Sequence, residues 1–191
     1  MDTLSKTFAT NTREEIVALC DNLAKIIREE LSKNPERKAP IIISLQSADN
    51  AGKSAFWDLI REWLFIKGGI FIKKHSHSSQ EGGRVYETWQ GQVSEEGRPL
   101  RLLNCNVGAL MYEHMARLPI DTLYKIMGKG ESITRYDIII LSKSSTEFID
   151  PCHHTLEINI HDLGGNYPKN WFRRVECVAP PGSPFTSLLQ S

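Results

Sequence analysis

The sequence has no excess of either charge, since its 23 Lys and Arg balance its 23 Asp and Glu. A neutral chain carries no global basic field, which argues against a surface built for general nucleic-acid binding. Long hydrophobic runs are lacking too: the apolar stretches at 41–45 and 138–141 fall far below the roughly 20 residues that a membrane-spanning helix needs. We therefore predict no membrane association.

Cysteine is scarce and scattered. The four cysteines, Cys20, Cys105, Cys152 and Cys177, form no Cys-x-x-Cys pair of the kind that builds zinc or redox sites. The first ten residues lack the basic and apolar regions of a secretory signal. These absences predict a cytoplasmic protein with reduced, mostly buried thiols.

The overall composition is that of an ordinary folded protein, with 40% hydrophobic and 24% charged residues in 191. This length favours one domain with a single core. We assign residues 1–179 to that domain. The Pro-Pro-Gly stretch that begins at Pro180 predicts a loose C-terminal tail over 180–191.

The first element is an amphipathic helix. Thr12 and Glu15 have the spacing of a capping box, and apolar residues recur behind them at helical intervals until Pro35 ends the pattern. A β-branched run at 41–45 then predicts a strand buried on both faces, and residues 55–64 predict a helix.

Further apolar runs indicate more strands, with 155–160 and 172–178 forming an antiparallel pair at a sheet edge. We expect a helix at 109–127 and a long loop at 75–83. The other predicted strands are 70–72, 85–89, 100–105 and 136–141. Together these elements predict an α/β fold, a three-layer P-loop NTPase-like domain with a mainly parallel central sheet and antiparallel C-terminal edge strands.

A phosphate-binding loop stands between the strand at 41–45 and the helix at 55–64. Its residues are Ser47, Ala48, Asp49, Asn50, Ala51, Gly52, Lys53 and Ser54. Backbone amides at the start of such a helix bind phosphate, Lys53 reaches the outer phosphates, and the Ser54 hydroxyl binds Mg²⁺. Ser47 stands where the motif has glycine. We predict binding of ATP or ADP with Mg²⁺.

Three functions fit such a loop: an ATPase, a small nucleoside or metabolite kinase, and a non-catalytic interaction module gated by nucleotide. A kinase needs a base for its acceptor. A module needs a segment that orders on the γ-phosphate, for which we consider 75–83.

The order of these motifs resembles the TsaE (YjeE) family of bacterial P-loop ATPases, which act in threonylcarbamoyladenosine modification of tRNA. The similar segments are 8–10 as an opening strand, 12–15, 41–45, 47–54 and 55–64. The resemblance implies a tRNA-modification complex with protein partners. Direct RNA contact would need a basic patch, for which Lys73, Lys74, Lys169, Arg173 and Arg174 are the candidates.

The resemblance also assigns two further site positions, and both have lost a carboxylate. Asn106 stands where the family has a metal-directed Asp, and Ser142 where it has a Glu. We therefore expect Lys53, Asn106 and Ser142 to occupy the catalytic positions, with hydrolysis weak or lost. The nearest carboxylates in sequence are Asp49, Glu81, Glu87 and Asp137. A histidine pair, His75 and His77, is a candidate metal site.

Overall fold

An eight-stranded sheet organises the computed structural model, which describes residues 3–10, 12–33, 40–47, 62, 71–76, 86–92, 100–106, 137–143, 155–162 and 173–190. Within these residues two helices accompany it, α1 (Arg13–Lys33) and α2 (Thr186–Gln190). The strands are β1 (Leu4–Ala9), β2 (Ile41–Ser47), β3 (Phe71–Ser76), β4 (Tyr86–Gln92), β5 (Leu100–Asn106), β6 (Ile138–Lys143), β7 (Thr155–Asp162) and β8 (Arg173–Ala179).

The sheet is parallel at its centre and antiparallel on both flanks. Its order is β1-β8-β7-β2-β6-β5-β4-β3, and β7, β2, β6 and β5 run parallel to one another. The predicted antiparallel pairing of β7 with β8 is confirmed. Its predicted place at the edge is wrong, because β1 covers β8 and β7 pairs with β2. The fold is thus α/β with a mixed sheet.

Helix α1 begins at the predicted cap. The Glu15 amide donates to Thr12 Oγ1 over 3.2 Å, and the same hydroxyl donates to Glu15 Oε1 over 3.2 Å. Its buried stripe consists of Ile16, Leu19, Cys20, Leu23, Ala24, Ile27 and Leu31. This stripe packs in one hydrophobic cluster with Ile41, Ile43 and Leu45 of β2, as its helical spacing predicts.

Strand β2 is buried on both faces, as predicted for a central parallel strand. Ile41, Ile43 and Leu45 belong to the cluster around α1, while Ile42 and Ser44 alternate with them. Ile42 and Ser44 are nevertheless only 2% and 1% exposed. The face of β2 opposite α1 is therefore also covered.

The segment predicted to be a loose tail is packed on the sheet. Phe185 is fully buried, Leu188 and Leu189 are 8% and 7% exposed, and α2 contacts β1 and β8. The Phe185 amide donates to Ser183 Oγ over 3.2 Å, which fixes the turn before α2. The prediction was wrong because it was based on the Pro-Pro-Gly stretch alone and did not consider the apolar residues that follow it in the sequence. Gly182, with φ of +80°, makes the turn that returns them to the core.

Of three other predictions, one is corrected and two are not tested. Strand β3 extends to Ser76, so the start of the loop predicted at 75–83 is strand instead. The predicted helices at 55–64 and 109–127 lie outside the described residues, apart from residue 62. Among the helices that the structure describes, none is long and apolar enough to cross a bilayer.

Cys20 and Cys177 are free and buried. Burial raises the pKa of Cys20 and of Cys177 from 9.0 to about 12, with a smaller effect of Asp21 on Cys20 and of Glu176 on Cys177. A native thiol thus holds its proton where the unfolded thiol has lost it. Consequently the free energy of unfolding should fall as the pH rises above 9.

This environment predicts unreactive thiols in the native protein. In a background with serine at positions 105 and 152, a disulfide reagent at pH 8 should modify Cys20 and Cys177 only on unfolding, because their thiolate fraction is about a thousandfold below that of an ordinary cysteine. Unfolding the same variant in denaturant supplies the control, since both thiols should then react at once. Rapid modification before unfolding would contradict the buried positions.

Candidate functional site

The phosphate-binding loop predicted from the sequence starts where β2 ends. Ser47, its first residue, is the last residue of the strand, while residues 48–54 lie outside the described part of the chain. A strand that is buried on both faces holds its terminal residue in a fixed place. The structure therefore anchors the first position of the loop at the carboxyl end of a central strand.

Three more strands end at the same edge of the sheet. Because β5, β6 and β7 run parallel to β2, their last residues, Asn106, Lys143 and Asp162, lie at the edge where Ser47 lies. In open α/β sheets, ligands bind outside the carboxyl ends of the strands. We call this edge, with its four strand ends, the carboxyl edge.

The two degenerate positions assigned by the resemblance are brought together there. Asn106 and Ser142 are register partners across β5 and β6, which separates them by about one strand spacing, or roughly 4.8 Å. Ser142 is in turn the register partner of Leu45, two residues before Ser47. Both positions thus adjoin the start of the predicted loop, on one face of the sheet.

Asp137 is removed from the candidate carboxylates. It precedes β6, so it lies at the opposite edge, and five residues of strand put about 17 Å between it and Ser142. Its Oδ2 accepts a hydrogen bond from the Arg101 amide over 3.0 Å, and its carbonyl accepts one from the Ile41 amide over 2.9 Å. Asp137 therefore ties together the starts of three strands.

A polar pair that the sequence did not reveal lies one strand further along. On β7 and β8, Asn159 Nδ2 donates to Glu176 Oε1 over 3.1 Å, while Asn159 Oδ1 is buried and accepts no hydrogen bond. Asn159 is the register partner of Gln46, the residue before Ser47. Buried amide oxygens without a donor are uncommon. The sequence feature that could have pointed to this pair is the polar residue Asn159 inside the alternating 155–160 segment.

The basic patch considered in the sequence does not form as one surface. Lys73 and Lys74 lie on β3, whereas Arg173 and Arg174 lie on β8. Six strand spacings, or roughly 29 Å, separate these strands in the sheet. Lys169 lies outside the described residues. The lysine pair on β3 and the arginine pair on β8 therefore cannot bind one short ligand together.

The residue types at the carboxyl edge include a hydroxyl at Ser47, an amide at Asn106 and a carboxylate at Asp162. No group of three or more His, Cys, Asp or Glu that could hold a metal ion occurs among the described residues. His75 lies on β3, and His77 is outside the described part of the chain. Oxygen donors of the Asn106 and Ser142 type suit Mg²⁺ better than zinc.

Comparison with known proteins gives a structural likeness. No family model matches the chain, and no curated protein sequence matches it. Among solved structures, the chain is similar to Bacillus subtilis YdiB, with 14% identity, a TM-score of 0.40, and coverage of 94% of this chain and 88% of that one. This likeness assigns neither a family nor an activity to the chain.

Proposed function

We propose that the chain binds ATP or ADP with Mg²⁺ at the carboxyl edge and hydrolyses ATP weakly or not at all. One observation carries the proposal: the sequence Ser47 to Ser54 begins at the end of a parallel strand that is buried over 41–45, among four strand ends at one edge. This is the place in an α/β sheet where a glycine-rich turn presents its amides to a phosphate.

Each part of the loop has a separate role in this proposal. The backbone amides around Gly52 bind the phosphate oxygens, and Lys53 neutralises the outer phosphates. Ser54 gives its hydroxyl to Mg²⁺, which takes its other ligands from phosphate, water and oxygen-bearing side chains. When bound, Mg²⁺ supplies charge neutralisation on the phosphates.

Weak hydrolysis follows from the positions beside the loop. Ser142 occupies the place where a carboxylate would orient the attacking water, and a hydroxyl does this poorly. Asn106 offers a neutral oxygen in place of a charged one. Compared with two carboxylates, Asn106 and Ser142 therefore slow phosphate release more than they weaken nucleotide binding.

The resemblance to TsaE extends the proposal to a partner. A nucleotide site that retains binding and loses turnover is suited to a nucleotide-dependent contact with proteins of a tRNA-modification complex. We also propose that further helices cover the face of the sheet opposite α1, giving three layers, since Ile42 and Ile139 on that face are 2% and 0% exposed.

Thermal denaturation with nucleotides tests the proposal. ATP and ADP with Mg²⁺ should raise the melting temperature of the wild type, by an amount that grows with the logarithm of ligand concentration above Kd. Adenosine should not, because only the phosphates contact the loop. Phosphate release should stay slow. Transfer of phosphate to an added nucleoside would instead indicate a kinase, and equal stabilisation by adenosine would contradict a phosphate-binding loop.

A further inference from the structure

Strand β1 forms one edge of the sheet. It is the first strand in the sheet order and pairs with β8 in an unbroken antiparallel register over all six of its residues. Among the strands that the structure describes, none pairs with its other side. Because the backbone groups of a strand point alternately to its two sides, half of the amides and carbonyls of β1 point away from β8. Such a row of backbone groups is a template for a further strand.

The two edges of the sheet differ in the features that hinder such pairing. Strand β3, at the other edge, has a register shift between Lys74 and Ser76, and Lys73 precedes Lys74 in its sequence. Irregular register and lysine are common protections of an edge strand. Strand β1 has neither a register shift nor a proline, and Lys6 is its only charged residue. Of the two edges, β1 is therefore the better suited to strand addition.

The single charge of β1 lies along its own strand. Lys6 Nζ is 5.1 Å from the centre of the Phe8 ring, and Phe8 packs against the hydrophobic cluster around α1. The residues on the opposite face of β1 are small and exposed, namely Ser5, Thr7 and Ala9. That face therefore carries no charge or bulky group that would exclude a neighbouring strand.

The sequence of β1 is complementary to itself in one antiparallel register. A two-fold axis through Thr7, perpendicular to the sheet, sets Thr7 opposite Thr7 of a second copy, and threonine pairs are favourable across two strands. The same axis sets Lys6 opposite Phe8, and an ammonium group is attracted to an aromatic ring. Ser5 then stands opposite Ala9. A register centred on Lys6 would instead oppose two ammonium groups, which is unfavourable.

We propose that the chain forms a two-fold dimer in which β1 pairs with β1 of a second copy and joins two eight-stranded sheets into one. The pairing continues the antiparallel order of β7, β8 and β1. Backbone hydrogen bonds supply the affinity, as in other cases of strand addition. Six residues form a small interface, so the dimer should be weak and depend on concentration. This inference is independent of the proposed nucleotide site.

Sedimentation equilibrium of the full chain, at concentrations up to about 1 mM, tests the pairing. The wild type should change from monomer to dimer within this range. Two double variants test the register. Ser5→Glu/Ala9→Glu places like charges at both contacts between residues 5 and 9, whereas Ser5→Lys/Ala9→Glu places opposite charges there. Because two charge pairs change sign, the second variant should dimerise roughly 10-fold or more tightly than the first.

The two variants share a change that the fold accommodates. Ala9 is exposed and is the register partner of Arg174, so Ala9→Glu brings opposite charges together within the chain. Ser5 is exposed as well, and the melting temperatures of the two variants should match. A wild type that stays monomeric would overturn the proposal and leave β1 as an edge for an extended segment of another protein. Equal or reversed dimer affinities of the two variants would also overturn it, because the contact would then lie on another surface.

Discussion

Replacing Lys53 by alanine should weaken ATP binding by about 10- to 100-fold, the range expected when a charge-assisted hydrogen bond to phosphate is lost. The reason is that Lys53 is the cation of the predicted loop, which begins at Ser47 at the end of β2. Titration calorimetry in Mg²⁺ measures the effect. The melting temperature without nucleotide should remain that of the wild type.

Two matched variants make this result interpretable. Lys25→Ala removes the same charge from the exposed face of α1 and should leave ATP affinity unchanged. Ser54→Ala should reduce affinity mainly in Mg²⁺, because it removes a metal ligand and leaves the phosphate-binding amides in place. Unchanged ATP affinity in Lys53→Ala would rule out the phosphate-binding loop. A loss in Ser54→Ala that is equal in EDTA would rule out its role toward the metal.

Local patterns in the sequence predict the local structure well. The cap at Thr12 and the end of α1 before Pro35 follow from hydrogen bonding and apolar spacing within a few residues. The strand at 41–45 follows from β-branched residues that need burial on both faces. These features depend on neighbours in the chain, so the chain itself reports them.

Strand order depends on distant partners and is not readable in the same way. Ile43 pairs with Ile140 on one side and with Leu156 on the other, and no short pattern encodes either choice. The same reason made Asp137 look as suitable as the other candidate carboxylates, although it precedes β6 and lies at the opposite edge of the sheet.

The last prediction concerns the missing water-orienting carboxylate. Ser142→Glu should raise ATP hydrolysis by about 10²-fold, the lower end of what a positioned acid–base group contributes. Ser142 is the register partner of both Asn106 and Leu45, so a carboxylate there lies beside the start of the loop. Phosphate release under saturating MgATP measures the rate. Ser142→Gln, of equal size and without charge, should leave hydrolysis slow.

Combination with Asn106 decides whether the two lost carboxylates had separate roles. Asn106→Asp together with Ser142→Glu should raise hydrolysis more than either change alone, because metal placement and water orientation are then both improved. Rapid hydrolysis by the wild type, undiminished by Asn106→Ala, would mean that an acidic residue elsewhere holds the metal.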